Sequence, residues 1–210
     1  MLSSLFPIFS DQNSPSHPYM THYVGMQNII EAAKASSSVK RIVRLSGKGE
    51  QPFSFISILL NMLGNLAKAW NYEGEALLRQ SGLDYTIIRP GLMKKSSEYT
   101  EPPKARGLVD NGQDMKVSIV TCDQIAELCV DCIKYDNAKK STLTAMNTEE
   151  NTGEDSYEGL LQKVQADSRY FEPSLIKQHR MGTRLGFTVL TLFFGGFCGA
   201  LSKSFSFLLQ

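Results

Sequence analysis

The stretch that most constrains the fold is residues 81–91, SGLDYTIIRPG. Its apolar, β-favouring centre lies between a glycine and a Pro-Gly pair, which is typical of a short strand buried on both faces of a parallel sheet. Pro90 cannot donate a hydrogen bond to a neighbouring strand, so the strand should end near Arg89. The preceding residues 65–80 carry apolar side chains at helical spacing. Helix, glycine turn and buried strand together predict one half of an α/β crossover unit.

The carboxyl ends of parallel strands are where open α/β sheets bind their ligands. Arg89, Pro90 and Gly91 should lie at that edge, and we predict that they bind a cofactor. Ser46 is the candidate catalytic residue, because it opens the SGKG loop after the strand pattern of residues 39–45. Its hydroxyl would either donate a hydrogen bond to a substrate carbonyl or only cap the next turn. The sequence leaves both roles open.

Helical and strand patterns alternate along the rest of the chain, which predicts an α/β protein. We expect helices over residues 19–34, 121–134 and 156–165, and strands over residues 39–45, 116–120 and 141–146. Thr121 and Gln124 have the spacing of a capping box. Residues 92–114 are rich in Lys, Ser, Pro and Gly, which predicts a long loop or substrate lid. The apolar residues 53–63 are too few to span a bilayer and should pack on the sheet or cover the ligand cleft.

Composition and cysteine usage narrow the function classes. The net charge is +1 over 210 residues, with no dense Lys/Arg run, so we expect no nucleic-acid partner. Cys129 and Cys132 have the spacing of a redox or metal pair, but no second pair completes a zinc set. We therefore expect buried thiols in an intracellular, reducing compartment and no metal site. Residues 1–18 make a poor secretory signal and should form a flexible arm.

The end of the chain has a different composition. Residues 184–210 are predicted to be an apolar tail, because positions 185–202 contain no charged side chain. Residues 147–183 before the tail are predicted to be a polar linker with short helices. The apolar run is at the lower limit for crossing a bilayer. Gly195 and Gly199 form a G-x-x-x-G pair that would let the tail contact a second copy or a protein partner. The alternatives are a buried core helix and a membrane-surface anchor.

Four segments in fixed order carry a resemblance to a known family: HYVGMQNIIEAAK, VKRIVRLSG, AKAWNYEGEALLRQSGLDYTIIRPG and VSIVTCDQIAELCVDCI. They resemble the atypical short-chain dehydrogenase/reductases, the NmrA-like NAD(P)-binding group. The resemblance covers about residues 19–146 and implies a Rossmann domain that holds NAD(P), more often NADP, beside a small-molecule ligand. It implies a reductase, an isomerase, or a non-catalytic redox sensor or assembly factor.

The sequence departs from this family at two places. No G-x-x-G-x-x-G phosphate loop precedes residue 19, and the Tyr and Lys of the family's Tyr-x-x-x-Lys pair fall on Ala67 and Asn71. We therefore expect an N-terminally truncated domain that keeps the C-terminal half of a Rossmann-like parallel sheet, with helices on both faces. An apolar helix should follow at the C-terminus. Without the phosphate loop, dinucleotide binding should be weakened. Two functions stay open. The chain belongs to an NAD(P)H-dependent oxidoreductase in its complete form, or it is an inactive membrane-tethered scaffold or assembly factor.

Overall fold

The computed structural model of the protein describes residues 11–99, 105–148 and 154–208, with side chains of the last helix described up to residue 193. A π-helical segment over Tyr19–Val24 leads into the first α-helix. The helices are α1 (Gly25–Ala35), α2 (Phe55–Leu63), α3 (Ala67–Gln80), α4 (Cys122–Lys134), α5 (Glu158–Leu161) and α6 (Ile176–Leu208). The strands are β1 (Ile42–Leu45), β2 (Tyr85–Pro90), β3 (Leu92–Lys94), β4 (Ala105–Val109), β5 (Ile119–Thr121) and β6 (Ser141–Thr148).

The main sheet has the order β1-β2-β6-β4. Strands β1, β2 and β6 run parallel, and β4 adds to β6 in the antiparallel sense. Ile88 at the centre of β2 is in register with Leu45 on one side and with Leu143 on the other. Strands β3 and β5 pair in parallel as a separate small sheet. The fold is therefore α/β and Rossmann-like, as predicted.

Strand β2 is buried on both faces, which confirms the prediction from residues 81–91. Ile87 packs with Met26 of α1 and Leu78 of α3 on one face. Ile88 points the other way and packs with Leu128 of α4. All three aliphatic partners are less than a tenth exposed. Alternate side chains of one strand thus anchor helices on both faces of the sheet.

Local capping chemistry fixes the helix boundaries. The predicted capping box is present at the start of α4, where Gln124 N–H donates to Thr121 Oγ1 and Thr121 N–H donates to Gln124 Oε1. The predicted helix over residues 65–80 begins two residues later, at Ala67. Asn65 and Leu66 cause this shift because both have left-handed backbone conformations, with φ of 51° and 62°.

The stretch of residues 92–114 contains more regular structure than the predicted loop or lid. It includes β3 and β4, and β4 pairs with β6 along Ala105–Val109. The strand predicted after this stretch, over residues 116–120, is shorter and lies at Ile119–Thr121. Composition missed β4 because an antiparallel edge strand tolerates the polar and glycine residues that also mark loops.

The apolar helix α2 packs mainly against α6 and α3, whereas we expected it on the sheet or over the ligand cleft. The contact with α6 is close, because a Cβ at Gly186 would overlap Ile58. Within the described residues, no helix is long and apolar enough to cross a membrane. The predicted pairing role of Gly195 and Gly199 falls outside the described side chains, and most of the predicted N-terminal arm, residues 1–10, lies outside the described residues. The domain limits 1–18, 19–146, 147–183 and 184–210 stay predictions.

Candidate functional site

Ser46 lies directly after β1, at the carboxyl edge of the sheet. Its N–H donates to the Ile88 carbonyl oxygen at 2.8 Å, which extends the pairing of β1 with β2. Its Oγ lies 2.5 Å from Glu75 Oε1 and 3.0 Å from Asn71 Oδ1, both on α3. A hydroxyl has one proton to donate, so α3 takes that proton in this structure. Ser46 joins the strand to the helix, and the substrate role stays a prediction.

Arg89 is 2% exposed and is held by two carboxylates. Its Nε and NH2 lie 3.1 and 2.5 Å from the two oxygens of Glu75, and its NH1 lies 3.0 Å from Glu50. Burial alone would lower the pKa of Arg89, but the two carboxylates outweigh burial and raise it. Burial would likewise raise the pKa of Glu75, but Arg89 and Arg79 hold it below the ordinary value. Both groups are therefore charged at neutral pH.

The ion pairs continue from Arg89 in both directions, and we call this set the carboxyl-edge network. On one side Glu50 accepts from Arg169 NH2 at 2.6 Å. On the other side Glu75 accepts from Arg79 NH2 at 2.9 Å, and Arg79 NH2 also donates to Thr142 on β6. The network joins α3, β2, β6 and the loops after β1 and α5. All three nitrogens of the Arg89 guanidinium lie within hydrogen-bond distance of protein carboxylates, whereas Arg79 Nε and NH1 have no hydrogen-bond partner among the described residues.

Strand pairing and backbone contacts fix the positions of Pro90 and Gly91. Pro90 ends β2 in register with Ala145 of β6, and Gly91 N–H donates to the Ala145 carbonyl at 2.9 Å. A Cβ at Gly91 would overlap the Ser118 carbonyl oxygen and Met146 Sδ. Glycine is therefore required here for the close approach of the strand that leads into β5. The predicted cofactor contact of these residues stays a prediction.

Lys68 is a residue that sequence reasoning did not select. It lies on the first turn of α3, and its carbonyl oxygen packs against Gly49 of the loop after β1. Burial lowers the pKa of Lys68, and the nearby cations Lys48 and Arg89 lower it further. Lys48 has its own partner, Asp114. No ion pair joins Lys68 to a carboxylate within the described part of the chain.

The two residues near Lys68 on α3, Asn71 and Tyr72, do not provide the tyrosine proton donor that is usual in this kind of site. Asn71 Oδ1 accepts a hydrogen bond from Arg44 NH2 at 3.0 Å and lies 3.0 Å from Ser46 Oγ. Tyr72 is fully buried, and its hydroxyl donates to the Glu172 carbonyl oxygen at 2.7 Å. Burial raises the pKa of Tyr72 to about 12. A tyrosine in this state cannot act as a proton donor tuned to neutral pH.

Cys129 and Cys132 both lie on α4. Cys132 is fully buried in the apolar core, and burial raises its pKa to about 12. Burial also raises the pKa of Cys129. A buried thiol with a high pKa is an inert packing group, whereas reactive cysteines have depressed pKa values and partial exposure. The geometry thus matches the packing role that we expected for this pair.

Comparison with known proteins identifies the family. The model of the NAD(P)H-binding family matches residues 8–136. The chain belongs to the NAD(P)H-binding family. An uncharacterised chloroplastic protein of Arabidopsis thaliana is 31% identical over 140 residues, which cover 66% of this chain and 41% of the relative. Sanguinarine reductase of Eschscholzia californica is 29% identical over 144 residues, which cover 66% of this chain and 49% of the relative. The chain therefore spans less than half the length of these relatives.

A solved structure shows the same fold. The oxidoreductase ylbE from Lactococcus lactis superposes with a TM-score of 0.54 at 15% identity, covering 77% of this chain and 68% of that chain. At this identity the similarity establishes the fold alone. Together with the family match, it confirms that the chain is an NAD(P)-binding-domain protein related to the atypical short-chain reductases.

A nicotinamide dinucleotide of this family needs a place for its diphosphate, which helix N-termini with free N–H groups usually supply. Helix α1 continues directly from the π-helical segment, and Ser54 and Thr121 close the first turns of α2 and α4. In α3, Ala69 N–H donates to Asn61 Oδ1. Each of the starts of α2, α3 and α4 thus has one N–H bound by a side chain. Lys68 lies at the carboxyl edge and has no carboxylate partner among the described residues.

Proposed function

We propose that the protein to which this α/β unit belongs is an NAD(P)H-dependent oxidoreductase, and that the unit supplies the wall of the site at the carboxyl edge of the sheet. The observation that carries this proposal is the family match over residues 8–136 on a Rossmann-like parallel sheet. The reductase named among the relatives supports the same reaction class. When bound, the reduced nicotinamide would supply a hydride.

In this proposal Lys68 is the residue that meets the ligand. Its ammonium group has no carboxylate partner within the described residues, and its lowered pKa reflects burial and neighbouring positive charge. A partly desolvated cation gains most from an anionic or carbonyl oxygen, because such charge-assisted hydrogen bonds are the strong ones. Ser46 would accept a hydrogen bond from the same ligand through its lone pairs, since its proton is donated to Glu75.

The relatives also bear on cofactor choice and location. The family resemblance favours NADP over NAD, so we propose NADP as the natural nucleotide. One relative is named as a chloroplastic protein. This supports an intracellular, organellar location for the present chain, which fractionation of the source tissue would test.

Titration of the full-length protein with NADPH and NADH, followed by nicotinamide fluorescence, tests the proposal. We expect saturable binding, tighter for NADPH, and a loss of about tenfold in affinity for Lys68→Ala, because a charge-assisted hydrogen bond contributes about 1.5–3 kcal/mol. Lys34→Ala is the matched control, since Lys34 is exposed on the last turn of α1. Absence of saturable binding by either nucleotide would overturn the proposal.

A further inference from the structure

A second cavity lies away from the carboxyl edge, between the first half of α6, the α2–α3 junction and the segment before the π-helical turn. Its volume is about 620 Å³, which falls in the range of small-molecule sites. His17, Asn65, Trp70, Arg180 and Arg184 are among its lining residues. None of the residues of the carboxyl-edge network lines it, so we call it the α6 cavity and treat it as a separate site.

The wall of the α6 cavity contains hydrogen-bonding groups that the protein leaves unused. Trp70 is 7% exposed, and its buried indole N–H has no acceptor among the described residues. Asn65 Oδ1 is also buried without a described partner. Native proteins rarely leave such groups unpaired, because each one loses its hydration without compensation. A ligand with an acceptor group would complete the hydrogen bonding of the Trp70 N–H.

His17 adds a third unused group. It is 7% exposed, and its Nδ1 accepts the Tyr19 N–H at 3.0 Å. The neutral ring therefore carries its proton on Nε2. No described residue accepts a hydrogen bond from that nitrogen. His17 and Trp70 both line the cavity and both carry an N–H donor, and the Trp70 donor is buried without a partner among the described residues.

The charge of the cavity points to an anion. Arg180 and Arg184 are one helical turn apart on α6, and no ion pair joins either of them to a carboxylate in the described part of the chain. None of the residues lining the cavity is Asp or Glu. The Arg180 guanidinium lies 5.7 Å from the centre of the Trp70 ring, which holds it at the cavity wall. Two unpaired guanidinium groups beside buried N–H donors match a carboxylate, sulfonate or phosphate.

The remaining lining includes apolar surface, contributed by the Trp70 ring and by Leu66. We propose that the α6 cavity binds a small organic anion that carries an aromatic or aliphatic body. The charged group would lie between Arg180 and Arg184, within reach of the His17 and Trp70 donors, and the body would cover the apolar wall. The site does not depend on dinucleotide binding at the carboxyl edge.

Calorimetric titration of the full-length protein with naphthoate and octanoate tests this site, and naphthalenemethanol and octanol are the neutral counterparts. We expect at least one acid to bind about tenfold more tightly than its alcohol, because a charge-assisted pair is lost with the alcohol. The better of the two acids tells whether the body is aromatic or aliphatic. Trp70 is the sole tryptophan of the chain, so octanoate binding should also change its emission.

The double variant Arg180→Gln/Arg184→Gln should remove the preference for the acid, and both side chains are exposed enough for the fold to tolerate the change. Lys177→Gln is the matched control, because Lys177 is an exposed cation on the same helix that does not line the cavity. Circular dichroism confirms that both variants are folded. Equal binding of acid and alcohol, unchanged binding in the double variant, or no binding at millimolar concentration would each overturn the proposal.

Discussion

The carboxyl-edge network and the α6 cavity treat their polar groups in opposite ways. In the network, Arg89 and Glu75 are nearly or fully buried, and each is bound by two or more partners. At the cavity, the Trp70 indole N–H and Asn65 Oδ1 are buried with no described partner. Both regions contain arginines, but only those of the network face carboxylates. Charge content alone therefore does not distinguish a structural cluster from a binding surface.

This contrast indicates which region of the fold can accept a ligand. The ion pairs of Arg89 resist further binding, because a ligand would have to displace Glu75 or Glu50 first. An incomplete set of buried donors gains from any ligand that satisfies it. Substitutions in the two regions should therefore change the free energy of unfolding by different amounts, and even in opposite directions.

Glu75→Gln should cost the most stability. The substitution keeps the shape of the side chain but leaves Arg89 and Arg79 without their shared carboxylate. Breaking a buried ion pair on one side costs about 3–5 kcal/mol. Urea unfolding followed by circular dichroism measures the loss. Glu127→Gln is the control, because the Glu127 side chain, which pairs with Arg106, is 43% exposed. This exposed ion pair should contribute less than about 1 kcal/mol. Equal losses for the two variants would contradict the contrast.

The same carboxylate predicts a pH dependence of stability. The folded protein holds the pKa of Glu75 below its ordinary value, because Arg89 and Arg79 outweigh the opposing effect of burial. A depressed pKa stabilises the fold above the unfolded value, which is about 4.3, and this stabilisation is lost as the pH falls from there toward the folded pKa. The wild-type protein should lose stability more steeply over this acid range than Glu75→Gln. If the free energy of unfolding fell equally steeply with pH in the two proteins, this role of Glu75 would be excluded.

Asn61→Ala should cost about 2–3 kcal/mol, because it leaves buried groups unpaired on two helices. Asn61 is fully buried, its Nδ2 lies 2.9 Å from His179 Nδ1, and its Oδ1 accepts Ala69 N–H at 3.2 Å. The other nitrogen of His179 lies 2.8 Å from the Gly49 carbonyl oxygen. Thermal unfolding measures the effect. A loss below about 0.5 kcal/mol, the size of an ordinary surface substitution, would contradict it.

Ser46→Ala should cost about 1–2 kcal/mol, since the Ser46 hydroxyl donates to the buried Glu75 carboxylate. Ser38→Ala in an exposed loop is the control and should change little. Titration with NADPH sharpens the prediction, because it separates the two roles of Ser46. Unchanged affinity in Ser46→Ala would leave Ser46 with its structural role only. A loss larger than that of Lys68→Ala would place Ser46 against the ligand.

Much of the fold followed from the sequence. The central strand at residues 81–91 and the capping box at Thr121 were predictable because their signals are local: an apolar run between turn residues, and two side chains at fixed spacing. Strand β4 and the late start of α3 were not. The first depends on pairing with β6, which is distant in sequence, and the second depends on two left-handed residues that helical spacing does not reveal.

The candidate site was harder to predict. Their positions after predicted strands placed Ser46 and Arg89 at the carboxyl edge. The sequence did not show which carboxylates bind these two side chains. Glu50 and Glu75 are ordinary charged residues in the sequence, and only the tertiary structure brings both to the Arg89 guanidinium. Lys68 had a signal, since it is one residue past a family position. Its open ammonium group becomes visible only when the partners of its neighbours are known.

Asn65→Gly should have the smallest effect and the opposite sign. Asn65 has a φ of 51° and a buried Oδ1 without a described partner. Glycine adopts this conformation without steric cost and removes the unpaired oxygen, so we expect a change between zero and about 1 kcal/mol of added stability. The comparison with Asn61→Ala is direct, because both residues are asparagines at the α2–α3 junction with opposite hydrogen-bonding states. Thermal unfolding of both variants in one buffer measures the contrast, and a loss of stability in Asn65→Gly would mean that the oxygen already has a partner.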